Sequence, residues 1–188
     1  MLRAVLVVAA AGALTACAGG ASRHVTPEGE VIAENLLLPF EAGSYHMYRV
    51  DDRNGTVVRY VPPDSLEGRL PPVDVSVYTA RHPLSEEAAM IRASAMQRDR
   101  NGLLEIDGTV YTSEGPVIVP ASGDTIYRAI IDMTVSTMPH RQMLYIHQVG
   151  GRYVNISTTF VRVRGLDLEP LFDQIASEIV ARTRVAPE

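Results

Sequence analysis

Apolar and polar residues alternate with a period of two through most of this chain and recur at helical spacing in two places, so strands should dominate and two helices should interrupt them. Tyr45 to Val50 and Thr56 to Val61 are β-prone runs. Asn54-Gly55 between them is tight-turn chemistry, because both residue types accept positive φ, and the pair is expected to form a hairpin. Val73, Val75 and Val77 alternate with Asp74, Ser76 and Tyr78, which predicts a strand with one buried face starting behind Pro71-Pro72. Ser85 is placed to cap a helix running to about Arg100, with Glu86 and Glu87 in the first turn favoured by the helix dipole and Asn101-Gly102 as the stop. Its inward stripe would be Ala88, Ile91, Ala95 and Met96.

Past this helix the period returns to two. Leu103 to Asp107, Thr109 to Thr112 and Val117 to Val119 read as short strands, broken around Gly108. Thr125 to Ser136 is longer; its odd positions Tyr127, Ala129, Ile131, Met133 and Val135 are apolar, so that face is expected to be core, with Arg128, Asp132 and Thr134 on the other. Thr137 to Arg141, containing Pro139, reads as a turn into a strand Gln142 to Val149. Gly150-Gly151 then reverses the chain into Tyr153 to Val161, completing an antiparallel three-stranded meander. Asp167 can cap a last helix in which Leu168, Leu171, Phe172, Ile175, Ala176, Ile179 and Val180 form one apolar stripe up to about Arg184. The opposite face carries Glu169, Asp173 and Glu178, which anionic headgroups repel, so this stripe is assigned to the core and not to a membrane. The predicted fold class is α+β: an antiparallel sheet of six or more strands packed with two helices in a layered sandwich.

The first residues have a different character. Met1-Leu2-Arg3 is followed by an apolar run from Ala4 to Ala16 that is too short for the ~20 residues of a membrane-spanning helix and fits a cleaved signal peptide. The run ends in Leu14-Thr15-Ala16-Cys17, which resembles the lipobox of bacterial lipoproteins. That resemblance implies cleavage before Cys17 and acylation of its sulfur. Cys17 is the single cysteine, and a lone thiol is otherwise an oxidation liability outside the cytoplasm. The expected organisation is a signal peptide over 1–16, a lipid-anchored flexible tether over 17–30 rich in Gly and Ser, and one domain over 31–188. Ala18 follows the cysteine, and in the Gram-negative family a residue other than Asp there implies export to the outer membrane.

Composition narrows the chemistry further. The 17 basic residues are all Arg, and without Lys there is no Schiff-base nucleophile, Ser-Lys pair or Gly-Lys phosphate loop. Loss of residues 1–16 takes only Arg3 from the charge count, so the net charge of −5 becomes −6. An acidic chain with no clustered cations excludes nucleic acid as a partner. The expected partners are the membrane, through lipidated Cys17, and another envelope protein. That protein would be met at an exposed sheet edge or in a groove between the sheet and the helix Ser85 to Arg100.

The order of elements, together with Pro39-Phe40-Glu41-Ala42-Gly43-Ser44-Tyr45 and the run Gly151 to Phe160 leading to Phe172 and Ile175, resembles the PsbP-like fold. The chain lacks the tryptophans frequent in such domains. The resemblance implies a non-catalytic accessory or assembly role and carries over no residue role. No enzymatic activity and no cofactor are expected.

Four groups of residues are candidates for chemistry. Met138, His140 and Met143 could form a copper site, because thioethers and imidazoles suit Cu(I); alternatively Met143 fills core and His140 is a solvated turn residue. His46-Met47 offers the same ligand types, and His147 shares a strand face with Met143. The pairs Asp51-Asp52 and Glu86-Glu87 are adjacent carboxylates that turn chemistry and the helix N-terminus explain without catalysis. Arg162 and Arg164 alternate onto one face and could grip a carboxylate or an anionic headgroup. Gly43-Ser44 lacks the second glycine of a serine-hydrolase elbow.

Overall fold

The computed structural model describes residues 25–27, 29–51, 56–66, 68–89, 106–118, 122–135 and 137–187. The expected signal peptide, Cys17 and most of the expected tether lie outside them, as do residues 90–102 of the expected first helix and its stop and the start, 103–105, of the strand expected after it.

Among the described residues, eleven strands form two antiparallel sheets. β1 (Glu30–Ala33), β2 (Leu36–Pro39) and β11 (Arg184–Val185) make the small one, in the order β1-β2-β11. The large sheet runs β3-β4-β5-β6-β10-β9-β8-β7, built from β3 (Glu41–Ala42), β4 (Tyr45–Asp51), β5 (Thr56–Val61), β6 (Val73–Thr79), β7 (Ile106–Ile118), β8 (Thr125–Val135), β9 (Met138–Val149) and β10 (Arg152–Val161). The β4–β5 pairing and the β8-β9-β10 meander stand as the alternation predicts. The architecture is α+β, with a C-terminal helix Glu169–Arg182 laid on one face of the large sheet.

That helix sits on the sheet because its stripe is apolar on one side only. Phe172, Ile175, Ala176, Ile179 and Val180 are buried against Tyr45, Tyr60, Val58, Val75, Val154 and Ile156. Each of the larger side chains contributes about 1.5–3 kcal/mol by leaving water. The tyrosines among them keep their hydroxyls satisfied: Tyr60 donates to the Pro39 carbonyl at 2.6 Å and Tyr45 to that of Pro71 at 2.9 Å. Burial pushes the Tyr45 phenol up to about 12 and that of Tyr60 upward as well.

Several elements differ from the sequence reading. Residues 30–42 form three short strands where none was expected; the β1–β2 turn uses Glu34 and Asn35, both at positive φ, without the glycine that usually announces such a turn. The three short strands expected between Leu103 and Val119 are one long strand, β7, whose register shifts at Asp107/Thr109 and Tyr111/Ser113 absorb the irregularities as bulges. β9 begins at Met138, since Val135 pairs with Met138 and the connection is only two residues, with Thr137 at φ 70°. Pro139 is tolerated there at the end of the ladder, where its carbonyl accepts Arg162 N–H at 2.8 Å.

The helix caps shift by about one residue. Residues 84–89 are helical, and the Pro83 carbonyl accepts the amides of Glu86 and Glu87, so Ser85 lies inside the helix and is not its cap. In the C-terminal helix the N-cap position is Leu168, and Asp167, just outside, accepts the Glu169 amide at 3.1 Å.

The faces of β8 are also reassigned. Its odd positions include fully buried Ile131, yet the face meeting the C-terminal helix carries Ile126, Arg128, Ile130 and Asp132. Each charge on the helix side has a partner there: Arg128 meets Glu169 and Asp173 of the helix, and Asp132 meets Arg141 and Arg162.

Candidate functional site

Where β8, β9 and the start of the C-terminal helix converge, three arginines and three carboxylates form a network. Arg141 takes Asp132 with both prongs, at 2.7 and 2.8 Å, and also bonds Glu169. Arg128 contacts Glu169 at 3.1 Å and Asp173 at 2.9 and 3.0 Å, and Asp173 accepts the Tyr145 hydroxyl at 2.7 Å. Arg162 reaches Asp132 at 3.1 Å. The hydrogen bonds from Arg141 hold the Asp132 carboxyl below its ordinary range, against a smaller opposing effect of burial. Burial and the bond to Asp173 both push the Tyr145 phenol upward. Every member has an opposite partner, so the network is built to fasten the helix to the sheet.

Beside it a recess of about 680 Å³ opens to solvent, lined by Pro139, Arg141, Phe160, Arg162, Arg164 and Leu166 among others. β10 ends at Val161, so Arg162 and Arg164 lie on the loop to the C-terminal helix and not on a strand face. Arg141 and Arg162 are engaged by carboxylates; among the described residues Arg164 has none. Val163 and Leu166, between and beyond these arginines, are 57% and 53% exposed. The loop therefore presents cationic and apolar groups together at the recess mouth.

A second recess, of about 400 Å³, lies between the end of β6 and the helical residues 84–89, where the sequence placed a binding groove. Its polar groups answer one another. Tyr78 donates to Glu87 at 2.9 Å, His82 sits 3.8 Å from Glu86, and the Tyr153 hydroxyl bonds the His82 carbonyl. The carboxylates Glu86 and Glu87 thus turn to different partners, as neighbours in sequence do. Asp52 lies outside the described residues.

The three proposed copper ligands are not brought together. Met138 and His140 share one face of β9, at even positions, while Met143 is on the opposite face, fully buried in the core with its Sδ 3.9 Å from the Tyr145 hydroxyl. His147 is buried, with Nδ1 3.3 Å from the Thr125 carbonyl, and Met47 is buried while the adjacent His46 points the other way. Among the described residues no three His, Cys, Asp or Glu side chains converge as a metal site. The residue missed from sequence is Met133: it pairs directly with His140 across the β8–β9 ladder, and only the register reveals it.

No protein-family model and no curated protein matches the chain. Among solved structures, the solution structure of cyanobacterial PsbP from Synechocystis sp. PCC 6803 is similar, at 13% identity and TM-score 0.57, covering 93% of this chain and 99% of that one. The fold is PsbP-like. Two further structures are similar at lower scores. LpqN, described as involved in cell envelope biogenesis of Mycobacterium tuberculosis, has 8% identity, TM-score 0.48 and coverage of 81% of this chain and 84% of that one. A Bacteroides thetaiotaomicron protein has 13% identity and TM-score 0.46 over 82% of this chain, which spans 46% of its length. At such identities the PsbP-like fold is a scaffold on which function rests with local sites. Among the described residues no helix is long and apolar enough to cross a membrane.

Proposed function

We propose that the chain is a non-catalytic accessory module of the bacterial envelope, anchored in the outer membrane through lipidated Cys17 and facing the periplasm, that docks an acidic surface of another envelope protein at the Arg162–Leu166 loop. The observation that carries this reading is the guanidinium of Arg164, which has no carboxylate partner among the described residues, beside exposed Val163 and Leu166 at the mouth of the large recess. A planar cation next to apolar side chains matches the composition of protein interfaces, where Arg is enriched. The neighbouring ionisable groups are locked in the helix–sheet network, which suits a rigid support better than proton transfer.

The lipobox supplies the anchor. Several acyl chains on one sulfur and one amine hold firmly where a single chain binds reversibly. Residues 17–30 supply the reach from the bilayer.

The test is isolation of the full-length chain from envelopes after crosslinking, beside Arg164→Glu. The wild type should carry a lipidated Cys17 by intact mass and capture a discrete protein; the variant should stay membrane-bound and lose that capture. An intact Met1 with an unmodified thiol, or capture indifferent to Arg164→Glu, contradicts the reading. Loss of binding to anionic vesicles in place of a protein assigns the loop to the membrane surface and contradicts it too.

A further inference from the structure

Met133, Met138 and His140 project from one face of the β8–β9 hairpin. Met133 is the direct cross-strand partner of His140, and Met138 stands two residues before His140 on the same strand. Direct partners in an antiparallel ladder have Cβ atoms about 5 Å apart on the same face, and the diagonal and i+2 neighbours lie at roughly 7 Å, within reach of a methionine side chain. The two-residue connection through Thr137 at φ 70° pins this register.

The imidazole is already oriented. His140 Nδ1 lies 3.0 Å from the Met138 carbonyl oxygen. A carbonyl only accepts, so the ring proton belongs on Nδ1 and the lone pair is left on Nε2, the arrangement in which a histidine ligates a metal while its other ring nitrogen donates to the protein. Met138 is 50% exposed and Met133 and His140 are part-exposed, so an ion can reach all three. Val161, opposite His140 on β10, supplies an apolar neighbour. The nearest carboxylate along β8, Asp132, projects from the other face and is held by Arg141.

We propose that Met133, Met138 and His140 form a binding site for a monovalent soft cation, copper(I). Two thioethers and one imidazole favour that ion over zinc, calcium or magnesium. The ion is bound as it arrives, with no change of oxidation state. The site shares no ligand with the Arg162–Leu166 loop, which adjoins it where the Arg162 amide donates to the Pro139 carbonyl.

The test is copper(I) titration of the full-length chain in detergent under anaerobic reducing conditions, against a chromogenic copper(I) chelator. One equivalent should bind. Met133→Leu, Met138→Leu and His140→Ala should each weaken binding by roughly tenfold or more. Met143→Leu, in the core, and Cys17→Ser should leave it unchanged. The Met→Leu changes conserve volume and keep the fold, which circular dichroism checks. Absence of one-to-one binding, affinity unmoved by Met133→Leu, or affinity lost with Met143→Leu or Cys17→Ser overturns the proposal.

Discussion

Arg141 and Asp132 face each other across β9 and β8 and close a two-pronged ion pair, Nε to Oδ1 at 2.7 Å and Nη2 to Oδ2 at 2.8 Å. The pair is mostly buried, and Arg141 also holds Glu169 at the first turn of the C-terminal helix. It therefore joins two neighbouring strands to the helix that packs on them, and its Arg141 lines the large recess.

Asp132→Asn should lower stability by about 2 kcal/mol near neutral pH, because a charge-assisted bidentate contact is lost while Arg141 stays partly buried. Hydrogen bonds from Arg141 hold the folded-state value of Asp132 below the ordinary aspartate range, so the contribution is fully present above that range and vanishes as pH falls through the lower folded value. Urea melts of wild type and variant between neutral and acid pH should converge at the acid end. A gap constant with pH would show that the carboxylate charge is not the source.

Phe172→Ala removes the ring that packs on both Tyr45, at a centroid distance of 6.3 Å, and Phe160, at 5.4 Å. Loss of area plus the cavity left behind should cost about 3–5 kcal/mol, read as a lowered denaturant midpoint. Val163→Ala, on the exposed loop, should change the midpoint by less than about 0.5 kcal/mol.

Gly150 and Gly151 form the β9–β10 turn, at φ 55° and 71°. A Cβ on Gly150 would run into the Val185 side chain of β11, whereas one on Gly151 meets open space. Both Ala substitutions carry the cost of left-handed backbone, about 1 kcal/mol. Gly150→Ala should be the more destabilising in thermal melts, because β11 must also shift; equal effects would mean that β11 yields freely.

The strands with clean alternation were legible from residues alone. Val73 to Thr79 is β6 as written, and the stripe from Phe172 to Val180 is the buried side of the C-terminal helix. The front strands were hidden because Leu36-Leu37-Leu38-Pro39 is buried on both faces and shows no period of two. On β8 the apolar odd positions drew attention from the opposite face, where Arg128 meets carboxylates that arrive about 40 residues later, at Glu169 and Asp173, and Asp132 meets Arg141 and Arg162. Met133 escaped notice as a ligand for the same reason: its place opposite His140 depends on a two-residue turn that Pro139 made look longer.

The docking claim is tested most directly by placing a photocrosslinking residue at position 163 in the full-length chain and irradiating intact envelopes, with position 48 as the control, since Tyr48 is 64% exposed on β4. Position 163 should yield one discrete protein adduct that position 48 does not, and Arg164→Glu should abolish it. Equal adducts from both positions, or none from position 163, would contradict a docking role for the loop.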